Sequence, residues 1–181
     1  MTTRFQFLST FCYVLRAIIM SIGLFHTSMM FADEEIEREN KIKIAYLFHF
    51  SQFTEWAVKS TGFTYCVYDD THFSKLLKEA YSEKILNGGE VRVLSVNADS
   101  NFNDCQLMFF PDVAPPEILT RIRKKPILTV GVQKDFIAQN GIVYMYEKDQ
   151  KIRFFINNNN ALEAGLKISS QLLALSKDAT Q

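Results

Sequence analysis

The residues with the clearest potential for chemistry follow the first predicted strand, at Asp69, Asp70 and His72. Two carboxylates and an imidazole so close together can gather a divalent metal ion, but their spacing is not one typical of zinc sites. A polar turn that caps the next helix explains the same residues, and we adopt that interpretation. The sequence therefore predicts no metal site and no cofactor.

Other reactive patterns are incomplete in this sequence. Ser169 and Ser170 lack the flanking glycines of a nucleophile elbow. Gly88 and Gly89 lack the further glycines of a phosphate-binding loop, and they follow a predicted helix instead of a strand. We therefore predict no catalytic residue and expect a binding protein, not an enzyme.

The first 32 residues have the composition of a secretory signal. They contain Arg4 and Arg16 and no acidic residue, and Ala17–Ala32 is an apolar run. This run is shorter than the roughly 20 residues that span a bilayer, although an uncleaved anchor helix is the alternative. We predict a signal peptide over residues 1–32, a domain over 33–177 and a tail over 178–181.

Charge and cysteine content restrict the possible partners. The whole chain has 20 basic and 20 acidic residues, so loss of residues 1–32 leaves a slightly acidic protein. Nucleic-acid binding requires clustered positive charge, so we expect no nucleic-acid partner for this slightly acidic protein. Cys66 and Cys105 are the only cysteines after residue 32. In an oxidising compartment such a pair is more often bonded than free, so we predict a disulfide, with two buried thiols as the alternative.

Hydrophobic periodicity and turn residues divide the chain into alternating helices and strands. The predicted helices are Glu35–Ala57, His72–Ser82, Glu117–Lys124, a brief one at Phe136–Ile137, and Ala161–Leu175 capped by Asn159 or Asn160. The predicted strands are Phe63–Tyr68, Val91–Val96, Gln106–Phe110, Ile127–Val130, and a hairpin of Ile142–Tyr146 with Ile152–Ile156 across the loop Glu147–Lys151.

This alternation predicts a single α/β domain. We expect a mostly parallel sheet of about five to six strands with helices on both faces, followed by an antiparallel C-terminal hairpin and a final helix. If the first strand lies between the second and the third, Cys66 and Cys105 come within bonding range. The disulfide and the topology thus support each other.

Two groups of side chains are candidates for binding. Aromatic residues of the first helix spread over more than one helical face, which predicts a partner or dimer surface together with part of the last helix. Its candidate residues are Tyr46, Phe50, Phe53, Trp56, Leu166 and Ile168. Long polar side chains between sheet and last helix are candidate ligand contacts, or they satisfy one another and the backbone. They are Arg153, Asn157, Lys167 and Gln171.

Residues from Lys41 to Leu175 resemble one bacterial family, the YfiR family of periplasmic proteins. The matching positions in the first half are Tyr46, Leu47, Phe48, Phe53, Glu55, Trp56, Cys66, Cys105 and the run Gln106–Phe110. Those in the second half are Leu128–Gly131, Phe136, Gly141, Arg153, Phe154, Asn157 and Ala164–Leu173. Departures from the family pattern are Ala57 after the tryptophan, Asn140 before Gly141, and a single cysteine pair.

The resemblance implies a non-enzymatic regulator in the periplasm. It implies an α/β domain that forms a homodimer and represses an inner-membrane diguanylate cyclase by binding its periplasmic part. An outer-membrane lipoprotein is a further implied partner, since one can sequester YfiR. We therefore expect an inhibitor of a membrane signalling protein, either a diguanylate cyclase or a sensor kinase. A periplasmic small-molecule-binding protein is the alternative.

Overall fold

The protein is described by a computed structural model that covers residues 35–57 and 60–176. The chain divides into two compact units, Met1–Lys41 and Ile42–Gln181. In the first unit, residues 35–41 are helical, and Lys41 Nζ lies 2.8 Å from Glu37 Oε1. The predicted signal peptide over residues 1–32 lies outside the described residues. Within the two described ranges, no helix has both the length and the apolar character needed to cross a membrane.

The second unit alternates short helices with strands. Helix α1 of this unit covers residues 42–52. The other helices are α2 (Thr71–Tyr81), α3 (Pro116–Ile122), α4 (Asn158–Glu163) and α5 (Ser170–Leu175). The strands are β1 (Thr54–Trp56), β2 (Phe63–Tyr68), β3 (Ile85–Leu86), β4 (Gly89–Val96), β5 (Leu107–Phe110), β6 (Leu128–Gly131), β7 (Val143–Lys148), β8 (Lys151–Ile156) and β9 (Leu166–Ile168).

Seven strands form the main sheet, in the order β3-β4-β2-β5-β6-β7-β8. The neighbours from β4 to β7 are parallel, and β3–β4 and β7–β8 are antiparallel. This confirms the mostly parallel α/β fold, and the very short β3 accounts for the strand beyond the predicted five to six. β2 lies between β4 and β5 as predicted, and Cys66 and Cys105 are disulfide-bonded, with their Cα atoms 5.7 Å apart.

Each face of the sheet carries its own hydrophobic core, because successive side chains of a strand point to opposite faces. Tyr65 and Val67 of β2 belong to the core that also contains residues of α1, α2, α4 and α5. Cys66 belongs to the second core, which contains the apolar residues of α3 and Phe136. Helices therefore lie on both faces, as predicted.

The first helix is shorter than the predicted Glu35–Ala57. The helix ends at residue 52, and Thr54–Trp56 form β1, which pairs antiparallel with β9 in a separate two-stranded sheet. The Thr54 hydroxyl donates to the Phe50 carbonyl at 2.8 Å and so satisfies one acceptor at the helix end. The apolar spacing continues through Trp56, but pairing with β9 decides the conformation there.

The predicted final helix Ala161–Leu175 is also wrong, because it is two helices with β9 between them. Gly165 has φ +74°, in the left-handed region that favours glycine, and it ends the first of these helices. Asn157 caps α4 in place of the predicted Asn159 or Asn160, since its side chain accepts from the backbone N–H groups of both. Ser169 caps α5 by accepting from Leu172 N.

Two turns also differ from the prediction. The hairpin turn has only two residues, Asp149 and Gln150, both with positive φ, so β7 and β8 extend beyond their predicted ends. The segment around Phe136 is a series of turns instead of a helix. The fully buried Phe136 ring is held between Gly131 and Gly141, where an added Cβ would meet opposite edges of the ring.

Candidate partner-binding groove

Hydrogen bonds from tyrosine hydroxyls fix α1 against its neighbours. Ser51 Oγ donates to the Phe48 carbonyl at 2.7 Å, so the Tyr65 hydroxyl, 2.5 Å from Ser51 Oγ, is the donor of that pair. Tyr81 on α2 donates to the Ile44 carbonyl. Burial raises the pKa of both Tyr65 and Tyr81 well above the ordinary tyrosine value, so both remain neutral donors. These bonds hold α1 in a defined position on the sheet.

A cavity of about 240 Å³ lies where α1 meets β8 and α5. It is partly open to solvent, and most of its lining side chains are apolar or aromatic. The lining residues are Tyr46, His49, Phe53, Phe154, Gln171, Leu172 and Leu175.

The local sequence explains how these side chains converge. Tyr46, His49 and Phe53 recur at intervals of three and four, so Tyr46 and His49 share one face of α1. Phe53 directly follows the helix, and its N–H donates to the His49 carbonyl at 3.0 Å. The Tyr46 ring lies edge-on to Phe154 of β8 with centroids 5.5 Å apart, and its hydroxyl donates to the Ile152 carbonyl at 3.3 Å. The cap at Ser169 starts α5 and thereby brings Leu172 and Leu175 to the same place.

A second cavity of about 140 Å³ adjoins the first. It is lined by Tyr46, Tyr146, Arg153, Phe154 and Leu175, so the two cavities share Tyr46, Phe154 and Leu175. We call the two together the groove. Leu175 is 67% exposed although it contacts both cavities. Neither cavity is lined by a carboxylate, and no described acidic residue forms an ion pair with Arg153.

The predicted partner surface is only partly available. Phe50, Leu166 and Ile168 are buried in the core, which corrects their assignment to a surface: Phe50 packs on Phe154, and the other two face inward from β9. Tyr46 and Phe53 line the groove. Trp56 lies elsewhere, on β1.

Trp56 is half-buried and already has partners within the chain. Its indole Nε1 donates to the Pro126 carbonyl at 2.9 Å, and its ring packs edge-on against Phe63 with centroids 5.1 Å apart. A binding role for Tyr46, Phe53 and Trp56 stays a prediction, because exposure alone does not test it.

The four predicted ligand contacts do not meet at one site. Arg153 and Gln171 border the groove, one in each cavity. Asn157 is occupied as the cap of α4, and Lys167 Nζ lies 3.4 Å from Glu55 Oε2 in an exposed ion pair between β9 and β1. Asp70, considered above as a metal ligand, accepts from Phe73 N at 2.8 Å and caps α2.

Five groove residues were not identified from the sequence, namely His49, Tyr146, Phe154, Leu172 and Leu175. Their spacing carried part of the signal, because His49 and Phe53 are four apart and Leu172 and Leu175 are three apart. The spacing does not show that Phe154 of β8 lies beside residues of both α1 and α5. Phe154 was noted only as part of the family resemblance.

Comparison with known protein families places residues 40–177 within one family model, described as YfiR/HmsC-like. The chain belongs to the YfiR/HmsC-like family. Comparison with curated proteins gives no match. The YfiR/HmsC-like family is a periplasmic, regulatory and non-catalytic family associated with the regulation of membrane diguanylate cyclases. The match confirms the resemblance seen in the sequence, and it includes every residue of the groove.

Proposed function

We propose that this protein is exported to the periplasm, where it binds and inhibits the periplasmic part of a membrane signalling enzyme. A diguanylate cyclase is the first candidate and a sensor kinase the second. The observation that carries the proposal is the YfiR/HmsC-like match over residues 40–177. Inhibition of this kind requires only a surface that holds one state of the enzyme, because a ligand shifts a conformational equilibrium by its difference in affinity for the two states.

The groove supplies a surface suited to such binding. Exposed apolar side chains in a defined depression mark interaction sites more often than scattered ones do. Leu175 at its rim is 67% exposed, and removing such a side chain from water on binding contributes about 25 cal/mol per Å² of apolar area. The proposal therefore places partner contact at the groove, with Tyr46 and Phe53 in its wall.

The proposal includes a homodimer and, as a second partner, an outer-membrane lipoprotein that sequesters the protein. Both rest on the family resemblance. Light scattering coupled to size-exclusion chromatography measures the mass of the purified protein directly. A mass equal to one chain at micromolar concentration would contradict the homodimer.

Deleting the gene and measuring cyclic-di-GMP by mass spectrometry tests the function. We expect cyclic-di-GMP to rise in the deletion strain and to return to the parental level when the full-length gene is supplied. A variant without residues 2–32 is the matched control, since it should remain in the cytoplasm and fail to restore repression. Unchanged cyclic-di-GMP in the deletion strain would refute control of a diguanylate cyclase.

A small-molecule-binding protein is the second candidate. It is favoured by Gln171 and Arg153, which place one long polar side chain in each of the two cavities. It ranks lower because each cavity of the groove, about 240 Å³ and about 140 Å³, is below the roughly 300–1,000 Å³ of most ligand pockets. A thermal-shift screen of small metabolites tests it: a ligand should raise the Tm of the native protein and not that of Gln171→Ala. If no metabolite in the screen raises the Tm of the native protein, this candidate is contradicted.

A further inference from the structure

Resting on the proposed function, we infer that the groove receives a segment of the signalling enzyme with two neighbouring apolar side chains and an acidic side chain that pairs with Arg153. The two cavities of the groove and the charge at one end define this chemistry.

The two adjoining cavities call for two anchors. The cavities measure about 240 Å³ and about 140 Å³, and they share Tyr46, Phe154 and Leu175 as a common wall. Side chains that enter both must therefore be near neighbours on one segment, the larger in the cavity beside Phe53 and the smaller beside Arg153. Recognition by a few apolar anchors at short spacing is the usual mode for a segment bound in an apolar groove.

The positive charge of Arg153 at one end of the groove specifies the acidic side chain of the bound segment. Arg153 is exposed on β8 and lines the smaller cavity, and no described carboxylate pairs with it. A guanidinium presents paired N–H donors that match a carboxylate, so an acidic side chain completes the site. A basic segment would meet like charge here, which is costly at an interface.

The wall of the groove is formed before any partner arrives. The Tyr46 hydroxyl is bonded to the Ile152 carbonyl, and its ring contacts both Phe50 and Phe154 with centroids 5.8 and 5.5 Å away. A side chain held at both ends loses little further freedom on binding, which lowers the entropic cost of association. The open rim at Leu175 then allows entry of a protein segment, whereas an enclosed cavity would favour a small ligand.

Two charge-introducing variants test the inference in the deletion strain. Leu175→Glu places a carboxylate at the rim, and Arg153→Glu reverses the charge at the end of the groove. Leu162→Glu and Arg92→Glu are matched controls, because Leu162 on α4 is 58% exposed and Arg92 on β4 is exposed, and neither lines the groove. Periplasmic amount and Tm are measured for all four variants, so that loss of folding is recognised.

We expect both groove variants to leave cyclic-di-GMP near the level of the deletion strain and both controls to restore repression. Leu175 lines both cavities and Arg153 supplies the charge of the groove, and loss of a contact that carries much of the binding energy weakens an interface by about tenfold or more. Suppressors of Arg153→Glu selected in the cyclase gene should replace an acidic residue of its periplasmic part with Lys or Arg, because such a change restores opposite charges.

The outcomes separate the inference from the proposed function. If deletion leaves cyclic-di-GMP unchanged, the proposed function itself is wrong. If deletion raises it and both groove variants repress as the native protein does, the function stands and the groove assignment is overturned. Conversion of a dimer to a monomer by Leu175→Glu would also overturn it, because the occupant is then a second copy. Stabilisation of the native protein by a metabolite, lost in Arg153→Glu, would overturn it in favour of a small ligand.

Discussion

Replacing Gly131 with alanine tests how tightly the Phe136 ring is held. A Cβ at Gly131 would lie 2.8 Å from Phe136 Cγ and closer still to Cδ2, whereas real Cβ atoms essentially never come within 3.0 Å. The ring cannot retreat freely, because Gly141 contacts its opposite edge and its exposure is 0%. Gly131 does not have positive φ, so the substitution adds no backbone strain.

The magnitude follows from this geometry. Overpacking a fixed core costs about 1–3 kcal/mol, so we expect Gly131→Ala to lower the free energy of unfolding by about 2 kcal/mol. Phe136→Ala alone should cost about 3–5 kcal/mol through lost burial and the cavity left behind. In the Phe136→Ala background the new methyl group enters vacated space, and Gly131→Ala should then be neutral or stabilising by up to about 1 kcal/mol.

Urea denaturation followed by circular dichroism measures all four members of this double-mutant cycle. We expect a coupling free energy of about 2 kcal/mol or more between the two positions. Gly88→Ala is the control, since Gly88 has φ +73° and no atom lies within 4 Å of an added Cβ. Its cost is purely conformational and should not depend on residue 136. An equal cost of Gly131→Ala in both backgrounds would refute the steric argument.

Three further measurements test other parts of the fold. Replacing Cys66 and Cys105 with serine removes a crosslink between residues 39 apart and should cost about 4 kcal/mol in urea denaturation on the chain-entropy model; a loss below about 1 kcal/mol would contradict it. Asn157→Ala removes the acceptor for two N–H groups of α4 and should lower the free energy of unfolding by about 1 kcal/mol, and no change would show that water replaces the cap. Folding raises the pKa of Tyr65 and Tyr81, so both stay neutral in the folded protein at a pH where they ionise in the unfolded chain. Their contribution to stability is complete below the ordinary tyrosine pKa of about 10, and the free energy of unfolding should fall as pH rises above it. Stability measured from pH 8 to 11 should fall less steeply in the Tyr65→Phe/Tyr81→Phe variant; identical slopes would contradict this.

The sheet was predictable because its signals are local. β2, β5 and β6 are short runs of mostly apolar residues with turn residues beside them, which is typical of strands buried on both faces. Asp70 and the break after β2 predicted α2 for the same reason. By contrast, β1 and β9 are three residues each and form a two-stranded sheet with each other. Their apolar spacing fits a helix equally well, so only tertiary pairing decides between the two.

The groove was harder to predict than the sheet. Tyr46 and Phe53 were predicted in one binding group and Arg153 and Gln171 in another, but the two groups were not predicted to meet. Leu175 was predicted as the last residue of one long helix, but that helix is interrupted after Gly165, and Leu175 lies exposed at the rim. Side-chain type thus indicated what the groove is made of, while its location depends on where the final helix is interrupted.

The pairing of β1 with β9 also sets the order in which the fold can be completed. Thr54 pairs with Ile168 and Trp56 with Leu166, so the second strand of this small sheet lies near the end of the described chain. A polypeptide that emerges from its N-terminus has residues 54–56 available long before residues 166–168. Such distant contacts form late, although closing the long loop adds little to the free-energy cost. Trp56 is the single tryptophan of the chain, so we expect its fluorescence to change when β1 pairs with β9.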